Sequence, residues 1–179
     1  SPLKYWPAAR WMALAEWLNL QGYEIVWSAG AKETHLVSEV DPKQHFTSLA
    51  GKLDLLQLAS LLVDAALMVC PDTGVAHLGR LTGTPTIALF GPGSPAICGA
   101  GEYWQDSPFS ALSVEIPCRD QTTTFRRDAP WIRRCARSHG SGAGQCARPL
   151  CMEGISLQAV QAATRTLLAN RAGRPQAQG

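Results

Sequence analysis

Asp72-Thr73-Gly74-Val75-Ala76-His77 places a carboxylate, a hydroxyl, a backbone without a side chain and an imidazole within six positions. The apolar run Val69-Cys70 precedes it. Gly83-Thr84-Pro85 and a second apolar run, Thr86 to Phe90, follow. That order reads as strand, turn, short helix, break and strand, a βαβ unit whose first turn lies at the carboxyl edge of a parallel sheet, where open α/β folds take their ligands. The first amides of a helix have no partner within it and carry the positive end of its dipole. The amides of Gly74, Val75 and Ala76 therefore suit an anion, and phosphate or pyrophosphate fits best. Gly74 lets a ligand approach the backbone, Thr73 offers a hydroxyl, and His77 lies one helical turn from Thr73 and faces the same end. Asp72 would repel phosphate directly, so it is expected to cap the helix or to accept from sugar hydroxyls. A capped helix with no ligand accounts for Asp-Thr-Gly alone equally well.

The remaining elements must hold this turn. Pro7 suits the start of a helix whose Trp11, Leu14, Ala15, Trp17 and Leu18 follow helical spacing up to Gly22. Residues 24–27 read as a short strand, 32–40 as a helix stopped by Pro42, and 46–49 as a weaker strand ended by Gly51. Asp54 can cap a helix with an apolar face of Leu55, Leu58, Ala59, Leu62 and Ala65. Strands are expected at 67–70, 86–90 and 112–116, a helix at 75–82, and a last helix at 155–170 capped by Ser156. Alternating units of this length imply an α/β fold, a Rossmann-like parallel sheet with helices on both faces.

Residues 118–149 break the pattern. The segment is rich in Arg, Gly, Ser and Thr, lacks apolar periodicity, and reads as a surface excursion. Seven of the twelve arginines fall between Arg119 and Arg148, and a solvated loop is the simplest expectation for them. Cys118, Cys135, Cys146 and Cys151 also cluster here. Four thiolates can in principle hold zinc, but only the last two are close in sequence, whereas zinc ribbons use two tight pairs. Packed or redox-labile thiols are the better expectation, and Cys70 and Cys98 read as small packing residues.

Composition excludes several classes. A formal charge of +2 over 179 residues does not imply nucleic-acid binding. Neither Gly-x-Gly-x-x-Gly nor a Walker A sequence occurs, which argues against NAD binding and ATP hydrolysis. No run of eighteen apolar residues and no secretory leader pattern is present.

Several segments together resemble one family. Lys4-Tyr5-Trp6-Pro7, Leu49-Ala50-Gly51-Lys52-Leu53, Asp-Thr-Gly-x-x-His-Leu at 72–78, Gly83-x-Pro85, Ala-Leu-Phe-Gly-Pro-x-x-Pro at 88–95 and Cys151-Met152-Glu153-Gly154-Ile155 resemble the donor half of ADP-heptose:lipopolysaccharide heptosyltransferases. These are GT-B glycosyltransferases with an N-terminal acceptor domain and a C-terminal donor domain. The resemblance implies that residues 1–172 are the nucleotide-sugar donor-binding domain, carrying the excursion at 118–149, with a disordered tail at 173–179. It places Lys4 on the donor diphosphate, Glu33 on the nucleotide ribose, and Asp72, Thr73, Gly74, Val75, Ala76 and His77 in the donor site. Heptose would pass with inversion from ADP-heptose to the lipopolysaccharide core. The general base comes from the N-terminal domain in this family, so no catalytic residue is expected here and these residues alone are expected to be inactive. Helix amides, Lys4 and His77 would stabilise departing ADP without metal or cofactor. The implied location is cytoplasmic, with the arginine-rich excursion available to the acceptor or to the inner face of the inner membrane. Family members commonly carry threonine where Gly93 stands. A GT-B epimerase, a glycosyltransferase with another nucleotide-sugar and a non-catalytic partner-binding domain are the alternative readings.

Overall fold

A computed structural model describes residues 1–99, 101, 106–124 and 126–172. The expected disordered tail at 173–179 lies outside them. Contacts divide the chain into two compact units, Pro7–Leu62 and Ser1–Trp6 together with the chain from Val63 onward.

In the first unit, α1 (Ala8–Asn19) follows Pro7 and buries Leu14, Ala15 and Leu18. The helix ends as the spacing predicts, with Gly22 at φ +88°, a conformation that favours glycine. Two expected strands shrink to two residues each, β1 (Val26–Trp27) and β2 (Thr47–Ser48), paired in parallel. Between them lies α2 (Thr34–Val40). The loop after α2 is organised by Asp41, whose buried carboxylate accepts from the amides of His45 (2.9 Å) and Phe46 (3.0 Å) and the Trp27 indole (3.2 Å). Burial alone would raise the pKa of that carboxyl; the three donors outweigh it and leave the pKa lowered. Asp54 caps α3 (Leu55–Asp64) as expected, in a reciprocal pair with Gln57: the Gln57 amide donates to Asp54 Oδ1 at 2.8 Å and the Asp54 amide to Gln57 Oε1 at 2.9 Å.

The second unit is built on three parallel strands in the order β3 (Met68–Pro71), β4 (Thr86–Phe90), β5 (Phe109–Ser113). Every residue of β4 is buried, as a central strand covered on both faces requires. The crossover helix α4 (Gly74–Leu81) reaches this sheet through Gly79, where an added Cβ would come within 2.4 Å of Met68 and Thr86. Arg80, on the next position of α4, is buried, stacks 3.8 Å over the Phe109 ring and donates to the Cys98 carbonyl. Phe109 thereby becomes the first residue of β5, opposite Thr86. The strand expected at 112–116 begins three residues earlier, because partners from α4 and β4 outweigh the local alternation of Leu112, Val114 and Ile116.

After β4 come α5 (Pro95–Cys98) and, after β5, the excursion. Among the described residues it holds two-residue ladders, β6 (Thr123–Thr124) with β7 (Arg127–Asp128) and β8 (Ser138–His139) with β9 (Gln145–Cys146), and one antiparallel bridge between Gln121 and Arg134. The chain returns through α6 (Leu150–Glu153) to α7 (Leu157–Ala172), where the Ser156 hydroxyl accepts from the Ala159 amide at 3.1 Å as the cap expected there. Met152, Ile155, Val160 and Thr164 close the core against the sheet. The buried Trp6 indole joins the chain start to this unit by donating to the Ile155 carbonyl at 2.8 Å.

Candidate functional site

β3 ends at Pro71 and α4 begins at Gly74, so Asp72 and Thr73 form the turn at the carboxyl edge of the sheet. Thr73 is the N-cap residue, in extended conformation (φ −142°, ψ 176°), but its hydroxyl makes no capping bond. Thr73 and Gly74 are exposed, and a Cβ on Gly74 would meet nothing within 4 Å. The mouth of the helix is open. Among the described residues the amides of Gly74 and Val75 have no hydrogen-bond acceptor, whereas the Ala76 amide donates to the Thr73 carbonyl at 3.0 Å. The cradle expected to hold three amides therefore offers two. His77 is exposed on the first turn of α4.

Asp72 departs from its expected part as a helix cap. Its side chain is buried, and its Oδ2 accepts from Lys4 Nζ at 3.3 Å; the same ammonium also donates to the Asp72 carbonyl. Lys4, the last residue of a short 3-10 turn (Pro2–Lys4), is thus held beside the mouth of α4. The carboxylate that would repel a phosphate is paired with a cation, and the amides are left to face one.

On its other side the Asp72 carboxylate meets the turn after β4. A Cβ placed on Gly93 would lie 2.2 Å from Asp72 Oδ2, so a side chain here requires the carboxylate to move. Gly91 is crowded likewise, with an added Cβ 2.6 Å from the Met152 sulfur. Beneath the turn lies Arg119, a residue that sequence reasoning missed. Its guanidinium is buried and donates to the carbonyls of Gly91 (Nε 3.0 Å, Nη2 2.6 Å), Phe90 (2.7 Å) and Val114 (3.1 Å). Arginine suits this place because its planar fork serves several acceptors at once. No spacing rule could have revealed its hold on the turn, since the Gly91 and Phe90 carbonyls lie 28 and 29 positions upstream.

Glu33 belongs to the other unit. It stands at the N-cap of α2, exposed, after the turn that follows β1, with Oε2 near Gly30. Gly51, at φ +71°, lets the loop after β2 approach Thr34, where a Cβ would come within 2.8 Å.

The six cysteines are free thiols. Burial pushes the Cys70 thiol up to about 12, which fits a packing role. Cys118, Cys135, Cys146 and Cys151 come together around one cavity, with Leu3 and Pro92 also in its wall. Among the described residues no three His, Cys, Asp or Glu side chains are gathered closely enough to hold a metal ion.

Comparison with known proteins decides the family. The profile of Glycosyltransferase family 9 (heptosyltransferase) matches residues 1–127, well over half of the chain. The chain belongs to this family. Lipooligosaccharide heptosyltransferase 2 of Haemophilus influenzae is 32% identical over 100 residues, covering 52% of this chain and 29% of that protein. Lipopolysaccharide heptosyltransferase 1 of Pseudomonas aeruginosa is 30% identical over 128 residues, covering 69% and 35%. Among solved structures, the ADP-heptose lipopolysaccharide heptosyltransferase II of E. coli superposes over 97% of this chain and 44% of its own with a TM-score of 0.70 at 20% identity. The E. coli heptosyltransferase WaaC with ADP superposes over 61% and 33% with a TM-score of 0.52 at 25% identity. The fold is that of the GT-B heptosyltransferases, as the sequence implied. The chain spans less than half the length of each of these relatives.

Proposed function

We propose that these 179 residues form the donor-binding part of a family 9 heptosyltransferase and hold the ADP moiety of ADP-heptose. The observation that carries the reading is the open mouth of α4: two unpartnered amides and the exposed Thr73 hydroxyl, with the Lys4 ammonium alongside. The presence of ADP in the WaaC structure supports the choice of ligand. When an acceptor hydroxyl attacks the anomeric carbon, negative charge gathers on the departing diphosphate. Pre-oriented amides and an ammonium stabilise that charge more than they stabilise the ground state, which is how such groups lower a barrier. Lys4 can turn from Asp72 to the diphosphate with little motion, because its stem is flexible and its head is a point charge. His77 adds an imidazole on the same first turn; for Glu33, exposed at the N-cap of α2, the proposal keeps the role the resemblance implies, a nucleotide-ribose acceptor.

The acceptor in this proposal is the lipopolysaccharide core, met through an acceptor domain that also supplies the base. The location is cytoplasmic, with peripheral contact at the inner face of the inner membrane. No helix among the described residues is long and apolar enough to cross a membrane.

Replacing Thr73 or His77 by alanine tests the placement. Each variant is expected to weaken ADP more than adenosine, because both side chains act at phosphate. Equal losses for the two ligands would refute it.

A further inference from the structure

We propose that residues 121–124 and 126–134 form a flap that docks on an anionic lipid bilayer, with the Trp131 indole entering the headgroup region and Arg126, Arg127 and Arg133 facing lipid phosphates. This deepens the proposed peripheral contact and rests on it.

The first observation is an exposed indole. Trp131 is 68% exposed while its neighbour Ile132 is 4% exposed. The Ile132 amide donates to the Ala129 carbonyl at 2.8 Å, closing a turn over Ala129-Pro130-Trp131-Ile132. Ile132 anchors the turn inward and Trp131 stands at its outer position, where proline at the preceding site fixes the backbone.

The flap is braced. Gln121 and Arg134 exchange backbone bonds at 3.0 and 3.1 Å, the Ala129 amide donates to Thr122 at 3.0 Å, and Thr123 and Thr124 pair with Asp128 and Arg127. The Cys135 amide ties its end to the Pro92 carbonyl at 2.9 Å. A rigid mount presents the indole at little ordering cost on binding.

Charge supplies the second observation. Residues 119–148 carry seven arginines against Asp120 and Asp128, whereas the whole chain carries only +2, so the rest of it is net negative. Within the excursion, Arg119 is buried, Arg137 is paired with Asp120 and Arg148 with Glu153. Among the described residues no carboxylate pairs with Arg126, Arg127, Arg133 or Arg134; Arg134 is turned inward, donating to the Thr123 carbonyl at 3.0 Å, and Arg133 Nε donates to the Arg119 carbonyl at 3.3 Å. Arg126, Arg127 and Arg133 are exposed along the same short flap as Trp131.

A pocket for one soluble phosphate would gather guanidinium forks into a concavity. Here the exposed arginines without a carboxylate partner, Arg126, Arg127 and Arg133, are strung along a ladder and a projecting turn. Tryptophan concentrates at membrane–water interfaces, and exposed basic side chains are drawn to anionic leaflets. The two signals together give reversible peripheral binding.

Co-sedimentation with vesicles tests the proposal, using the 179-residue chain. It is expected to sediment with phosphatidylcholine vesicles containing phosphatidylglycerol and to stay in solution with phosphatidylcholine alone, and added salt should release it. Replacing Arg126, Arg127 and Arg133 together by glutamine should lower partitioning roughly a hundredfold, at about fivefold for each arginine. Trp131→Ala should weaken binding at every salt concentration, and its unchanged melting temperature would show that the fold is kept. Absence of binding to anionic vesicles, unaltered binding by the arginine variant or by Trp131→Ala, or release by inorganic phosphate at constant ionic strength would each overturn the proposal. ADP binding is measured separately, so loss of the donor reading and loss of the docking flap are distinguishable.

Discussion

Replacing Arg119 by methionine should destabilise the unit that carries the nucleotide turn. The guanidinium makes four N–H···O contacts of 2.6–3.1 Å to three carbonyls, at the end of β4, in the Gly91 turn and just beyond β5. Methionine has a similar reach and no donors, so those contacts are lost and their acceptors must find water or stay unpaired. An unsatisfied buried polar group costs about 1–3 kcal/mol. Against this stands the desolvation of the charged guanidinium, several kcal/mol that the wild type bears and the variant does not. The balance is a net loss of about 2–4 kcal/mol, typical of a broken buried network. For a chain of this size that corresponds to a fall in melting temperature of about 5–15 °C. Denaturant unfolding and thermal melting both measure it. Lysine at 119 keeps the charge but not the fork, and should fall between the two. A methionine variant within about 0.5 kcal/mol of wild type would refute the claim that Arg119 holds the turn.

Two further expectations concern neighbouring residues. Gly93→Ala should cost about 1–3 kcal/mol through overpacking against Asp72, and much of that loss should vanish in a protein that also carries Asp72→Ala; additive losses in this cycle would show that the two sites do not touch. Cys70 should resist thiol reagents in the native protein, since its pKa is raised from 9.0 to about 12. Because the folded state keeps that proton, its contribution is complete below pH 9 and is lost as pH rises through 12, at about 1.4 kcal/mol per pH unit in between. Cys70→Ala should flatten stability against pH over that range, and an unchanged slope would contradict the burial account.

What was legible in the sequence follows the range of the contacts. The βαβ unit over 67–90 could be read because strand, turn and helix are set by neighbours in the chain. Asp54 and Ser156 were legible as caps for the same reason, and their partners are Gln57 and Ala159. Lys4 and Asp72 were each singled out, but their pairing spans 68 positions and no local pattern encodes it. Of the two parts expected for Asp72, helix cap or acceptor for sugar hydroxyls, the first is not what it plays: it binds Lys4 and lies against Gly93. The Gly93 departure from the family was visible in sequence; the close approach of the Asp72 carboxylate to it was not. Start positions also moved, as at β5, where Phe109 is drawn into the strand by Arg80 and Thr86. The four late cysteines share a cavity that their spacing did not announce.

The most direct measurement of the central claim is calorimetric titration of the chain with ADP, UDP and GDP. The account predicts weak binding of ADP, stronger than that of either other nucleotide. Absence of ADP binding at millimolar protein, or a clear preference for UDP, would contradict it.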